Sequence, residues 1–250
     1  MTVRVLAIHA HPDDIEILCA GTLLKLRKAG CEIIINTMTP GDKGSAEHHA
    51  EEIAEIRRGE ARAAADVLGA EYQCLEFRDL QIDVDDESRR RVTEAVRRAR
   101  PDLVLTAPPV DYMTDHEHTS RLVRDACFCA SVPNYKTEQW DPAAVTERIP
   151  HLYYCDPTEG VDWFGQPAPY SVIVDTTAEM ETKLEALACH ASQRDWLRRQ
   201  HGADEYLDSC REWSAARGRE LGVQYAEAFR QHKGHPYPQS DRLAELLGLN

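Results

Sequence analysis

The chain has 250 residues, 42% hydrophobic and 29% charged, enough apolar material for one sizeable core. Its formal charge of −14 argues against nucleic acid or an anionic membrane surface as the main partner, because phosphate binding needs a basic field. No apolar run approaches the ~20 residues of a membrane span, and the opening MTVRVLAIHA reads as a first strand rather than a signal peptide, so a cytoplasmic protein is expected.

Residues 3–9 form a short apolar run suited to a buried strand, and residues 15–29 follow with Ile15, Cys19, Leu23 and Leu26 at helical spacing, stopping at Gly30. A second strand over 32–39 ends at Pro40-Gly41. A long helix over 47–68 sets Ile53, Ile56, Ala61, Ala64, Ala65 and Leu68 on one stripe before Gly69. A third strand over 72–77, a helix over 86–100, a fourth strand over 103–107 closed by Pro108-Pro109 and a helix over 116–130 complete the regular half. The arginines between Arg89 and Arg100 share their helix with Val92, Ala95, Val96 and Ala99, which reads as the solvated face of an amphipathic helix. Residues 131–170 hold many prolines, tryptophans and turn residues; strand-like pieces lie at 152–155 and 170–175, and helical patterns at 178–199 and 220–231. Eight cysteines without a C-x-x-C pair fit free buried thiols in a reducing compartment better than a cysteine zinc site.

This alternation predicts an α/β, Rossmann-like fold: a mostly parallel sheet with helices on both faces and a less regular C-terminal part. No repeat or linker composition divides the chain, so one domain over 1–250 is expected, its core within 1–130. Such sheets bind ligands beyond the carboxyl ends of their strands, which directs attention to the residues after strands one, two and four.

After strand one comes HAHPDDIE. His11 and Asp14 are a nitrogen and an oxygen donor straddling a strand-to-helix turn, and both suit zinc, whose catalytic sites use three protein ligands. Alone, Asp13, Asp14 and Glu16 serve equally well as acids facing the positive end of a helix dipole. After strand four, PPVDYMTDHEHTS brings Asp111, Asp115, His116 and His118 to the same sheet edge. Two such clusters, each just past a strand end, favour a shared metal over two unrelated polar turns. His9 reads as a packed residue or a support for the ligands, His48 and His49 as a solvated loop, and Asp115 as a carboxylate that orients a histidine. Trp140, Trp163 and Tyr170 suit either packing or the mouth of a substrate site. His190, His201, His232 and His235 show no useful spacing.

The pair of motifs resembles the LmbE-like/PIG-L family of zinc-dependent N-deacetylases, with His11-Pro12-Asp13-Asp14 as the first motif and DYMTDHEHTSRLV as the second. Similarity extends through CAGTLLKLRKAG, Pro40-Gly41 and IRRGEARAAADVLGA, and covers most of 1–130. The resemblance implies Zn2+ held by His11, Asp14 and His116, Asp13 as general base toward the attacking water, and Arg57 holding substrate. It also implies removal of an N-acyl group, acetyl first, from a soluble amino-sugar-like small molecule, and a homo-oligomer. Many members carry a histidine three residues before the second-motif ligand. Met113 stands there, which leaves the oxyanion to Tyr112, to His118 or to zinc alone, with Tyr112 also placed to touch substrate. Rival readings are another metal-dependent hydrolase (ester or N-carbamoyl) and a non-catalytic metal-containing binding protein. A nucleotide-binding protein is disfavoured, since HAHPDD replaces the glycine-rich phosphate turn.

Overall fold

The computed structural model describes residues 2–194 and 205–249. The end of the predicted 178–199 helix and His201 lie outside the described residues. In chain order the regular elements are β1 (Arg4–His9), α1 (Asp14–Leu18), α2 (Ala20–Lys28), β2 (Glu32–Thr37), α3 (Ala50–Leu68), β3 (Glu71–Cys74), α4 (Asp86–Ala99), β4 (Leu103–Thr106), α5 (Thr114–Cys129), β5 (His151–Cys155), β6 (Val172–Asp175), α6 (Met180–Ala188), α7 (Glu205–Leu221), β7 (Ala226–Gln231) and α8 (Arg242–Leu247).

Seven strands form one sheet in the order β3-β2-β1-β4-β5-β7-β6, parallel from β3 to β5, with β7 antiparallel to both of its neighbours. The uninterrupted apolar run Val5 to Ile8 is explained by burial on both faces. Val5 and Ala7 pack with Leu23 and Leu26 of α2 and Ala64, Ala65 and Leu68 of α3. Leu6 and Ile8 pack on the other face with Val92 and Val96 of α4 and Leu122 and Val123 of α5. Helices therefore cover both faces, and β1 lies at the centre with its carboxyl end beside that of β4. All eight cysteines are free. Among the described residues no helix is long and apolar enough to cross a membrane.

Three expectations need correcting. The predicted 15–29 helix is two helices, broken at Cys19 (φ −147°). The break gives α2 its own N-terminus, whose free Gly21 and Thr22 amides donate to the Glu227 carboxylate at 2.9 and 2.7 Å. Gly21 is required there, since a Cβ would lie 2.7 Å from the Thr176 side chain. The helical pattern at 220–231 is instead the end of α7 and then strand β7, with Ala226 to Phe229 buried. Lying between β5 and β6, β7 pairs on both sides, and that pairing outweighs the helix propensity of its alanines and glutamates. Finally, the arginines of α4 are not simply solvated. Arg97 is buried and donates to the carbonyls of Cys129, Ala130, Val132 and Tyr135, while Arg90 pairs with Asp86 and Glu138.

Candidate metal centre

The site is built on the turn between β1 and α1. His9 ends the strand, His11 and Pro12 cross the turn, and Asp13 sits at φ 101°, a conformation that L-residues seldom adopt. Strain of this kind persists only where surrounding contacts impose it. Asp13 occupies the N-cap position of α1, yet its side chain makes no capping hydrogen bond. It accepts instead from the Tyr206 hydroxyl at 2.6 Å and from Arg57 at 3.4 Å.

Asp14 points inward, where Oδ2 accepts from the His11 amide at 2.8 Å and lies 2.7 Å from His9 Nδ1. His116, from the first turn of α5, brings Nε2 to 3.3 Å from His11 Nδ1 and 3.4 Å from Asp14 Oδ1. Asp14 turns its other oxygen to the second ring, with His11 Nδ1 3.3 Å from Oδ2. Metal–ligand bonds of about 2.0–2.1 Å in a tetrahedron place donors about 3.3–3.4 Å apart; the two ring nitrogens meet that spacing, and each meets it to one of the two oxygens of Asp14, so two imidazoles and a carboxylate are gathered as a zinc-sized ion requires.

The far sides of the rings support the same reading. His11 Nε2 donates to Asp79 at 3.1 Å and lies 3.4 Å from Asp115, and His116 Nδ1 donates to Asp111 at 3.1 Å. A carboxylate behind each imidazole fixes which nitrogen faces the centre. Two other groupings, His9–Asp14–His116 and His11–Asp79–Asp115, also bring their ligand atoms within 4.8 Å of one another. The contacts inside them, His9 to Asp14 at 2.7 Å and His11 to Asp79 at 3.1 Å, are shorter than the ~3.3 Å that separates donors on one ion, so we read them as supports of the central set.

The electrostatics follow from this crowding. Burial pulls the His11 and His116 imidazoles down, but their carboxylate neighbours outweigh it: His11 is lifted well above its ordinary value, and His116 to about 9. Burial works against the Asp14 carboxylate too, yet His116 and His9 hold it well below the usual range. Asp13 goes the other way, raised by burial and by Asp14, with Arg57 and Tyr206 opposing. The centre is rich in negative charge and favours a cation among its nitrogens.

Arg57, expected on substrate, is buried and donates to Pro12 O at 2.8 Å and Gly41 O at 3.3 Å as well as to Asp13. Tyr112 stands exposed at the rim, its ring 5.4 Å from that of His116. His118 donates to the Ile82 carbonyl at 2.6 Å, and His48, in the loop after β2, pairs with Glu52 at 3.1 Å. Two contributors had escaped the sequence. Asp79 follows β3, where the rule about strand ends would have found it. Tyr206 lies 193 residues from Asp13 in the chain, and nothing local marks it.

Two histidines and a carboxylate, braced by outer carboxylates at the carboxyl edge of a doubly wound sheet, define an α/β protein with a candidate catalytic metal centre. Residues 6–127 form a PIG-L family domain, matching the family model described as PIG-L, GlcNAc-PI de-N-acetylase. It is 29% identical over 196 residues to the diacetylchitobiose deacetylase of Thermococcus kodakarensis, covering 76% of this chain and 70% of that one. The structure of N,N'-diacetylchitobiose deacetylase from Pyrococcus horikoshii, complexed with its inhibitor MPG, superposes with a TM-score of 0.76 at 28% identity, over 95% of this chain and 87% of that one. A 4-oxalmesaconate hydratase of Pseudomonas putida is 24% identical over 196 residues, covering 75% of this chain and 73% of that one.

Proposed function

We propose that this protein is a zinc-dependent N-deacetylase that removes the acetyl group from a soluble amino sugar of the N-acetylglucosamine type. The observation that carries the reading is the convergence of His11 Nδ1 and His116 Nε2 at 3.3 Å, each within 3.4 Å of one oxygen of Asp14, with the strained Asp13 beside them. His11, Asp14 and His116 hold the ion. When bound, zinc polarises an amide carbonyl and makes water ionisable near neutral pH.

The chain's own residues do the rest. Both donors to Asp13, Tyr206 and Arg57, fall on Oδ2, and among the described residues Oδ1 takes no hydrogen bond. Oδ1 accepts the proton of the attacking water as oxygen bonds to the acyl carbon. The same carboxyl then gives the proton to the nitrogen as the C–N bond breaks, leaving acetate and a free amine. An amine leaves poorly unprotonated, so a carboxyl whose affinity for protons is raised by burial suits both steps. Arg57 holds the Pro12–Asp13 turn in its strained form, and Tyr112 meets the substrate at the rim. The same reading takes the chain as one domain that works in the cytoplasm as a homo-oligomer.

A hydratase of an oxalmesaconate acts on a carboxylate substrate. This site is poorly suited to one: Asp13, Asp14, Asp79, Asp111 and Asp115 crowd it, and its arginine is committed to Pro12, Gly41 and Asp13. The test is a panel of N-acetyl sugars, acetate esters and N-carbamoyl compounds offered to the zinc-loaded protein. Acetate released from N-acetyl sugars is expected; turnover of the esters or carbamoyl compounds alone would replace this reading.

A further inference from the structure

We infer that a groove at the amino-terminal edge of the sheet binds a phosphorylated small molecule, held by its phosphate among four arginines. The inference does not depend on the deacetylase reading. β1 starts at Arg4, in the wall of the groove, and ends at His9 beside the metal centre, so roughly 17–20 Å of strand separates the two sites. The groove has a volume of about 420 Å3, within the range of small-molecule sites, and lies between the starts of β1 and β4 and the segment 146–148. Arg4, Arg100, Arg148 and Arg242 line it against two carboxylates, Asp102 and Glu147. In a chain of net charge −14 this is a local reversal of sign. His151, whose amide donates to Asp102 O at 3.0 Å, feels it: burial first, then Arg242 and Arg148, hold its imidazole below the ordinary value, against Glu245 and its Asp102 contact.

The arginines are anchored but not used up. Asp102 accepts from Arg148 on Oδ1 at 2.6 Å and from the Arg4 amide on Oδ2 at 3.0 Å, so its charge is already engaged. Arg242 pairs with Glu245 through one nitrogen at 3.1 Å. Arg4 Nε lies 3.1 Å from Glu32 without making a hydrogen bond, and Thr146 Oγ1, also in the wall, has no partner among the described residues. The exposed Arg100 guanidinium makes no hydrogen bond or ion pair among them either. Arg100 follows the last residue of α4 at φ 47°, where helices ordinarily end on glycine. The carboxyl end of the helix favours a cation there, but four guanidinium groups around one opening repel one another unless an anion joins them. Each presents five N–H donors in a planar fork that matches phosphate oxygens. A phosphate monoester, with three terminal oxygens and a double charge, can engage several forks together. The groove leaves room beyond the phosphate, where Val3 and Pro101 give the rest of the ligand an apolar wall.

The test is calorimetric titration of the zinc-loaded protein with glucose 6-phosphate and with adenosine 5′-monophosphate, beside inorganic phosphate and unphosphorylated glucose. One saturable site for at least one of the esters is expected, tighter than for inorganic phosphate and absent for glucose. Arg148 is 78% exposed, and asparagine tolerates a left-handed backbone, so Arg148→Gln and Arg100→Asn should keep the parental far-UV circular dichroism. Each should weaken the ester by about tenfold, the worth of one hydrogen bond between charged groups. Arg211→Gln, on α7, should leave binding unchanged. No saturable binding of either ester, or parental affinity in both groove variants, would overturn the proposal. So would binding that survives in those variants and disappears when zinc is removed, which would put the phosphate on the metal. Inorganic phosphate binding as tightly as the esters would reduce the groove to an ion site and overturn the claim of a small-molecule ligand.

Discussion

Two buried clusters of charge sit at the N-termini of successive helices, and they are built differently. At α2, Lys183 is fully enclosed and donates to Glu227 at 2.7 Å, and the two oxygens of Glu227 also take the Gly21 and Thr22 amides. Charge cancels charge, and both carboxylate oxygens are in use. At α1 the carboxylates outnumber any cation the chain supplies, and two imidazole nitrogens face each other at 3.3 Å. A cluster that closes on itself holds the fold. One whose donors converge with charge left over is suited to a group from outside the chain. The contrast gives the two ends of this helix pair separate tasks, and each can be broken without the other.

The largest effect is expected from removing metal. Exhaustive chelation should abolish deacetylation, and stoichiometric zinc should restore it, with far-UV circular dichroism unchanged because the Lys183–Glu227 cluster needs no ion. Activity surviving in protein shown metal-free by elemental analysis would refute the open-cluster reading. Next comes Asp13→Asn, expected to lower kcat by about a thousandfold, some 4 kcal/mol of transition-state stabilisation, with zinc content retained. Loss of zinc together with activity would make Asp13 a ligand or a prop rather than the base.

The closed cluster responds in stability instead. Lys183→Ala leaves Glu227 buried with its cation gone and should cost about 3–5 kcal/mol in urea unfolding. Removing both charges with Lys183→Met and Glu227→Gln should recover much of that loss, since the penalty lies in the unpaired ion. If the double variant is as unstable as the single, Glu227 matters through its hold on α2 rather than through its charge.

How far these clusters could be read from sequence follows from how local they are. His11, Asp13 and Asp14 lie within one turn, and His116 stands behind a proline-closed strand, so periodicity and the strand-end rule sufficed to bring them together. The parallel half of the sheet was legible for the same reason, as each strand and helix carries its own apolar repeat. What escaped is held by partners far along the chain. The break at Cys19 depends on Glu227, more than 200 residues away, and β7 is a strand because two others flank it. Arg57 was visible as a residue, but its burial against Pro12 and Gly41 was not. Asp79 was within reach had the third strand end been searched as the others were.

Tyr206 is the sharpest instance, because it brings the irregular C-terminal half directly onto the proposed base. Burial and the charge of Asp13 both push the proton affinity of the Tyr206 hydroxyl well up, so it stays protonated as a donor. Donating to Oδ2 at 2.6 Å, it holds the carboxylate so that Oδ1 faces the incoming water. Tyr206→Phe keeps the ring and its packing and removes only that bond. The carboxylate then rotates more freely and its proton affinity rises further. The expected result is a fall in kcat of about tenfold, close to the ~1.4 kcal/mol of one hydrogen bond to a charged group, with KM and zinc content little changed. A variant that loses zinc as well would place Tyr206 in support of the metal turn. One with parental kcat would mean that Arg57 and the strained backbone orient Asp13 without help from the far end of the chain.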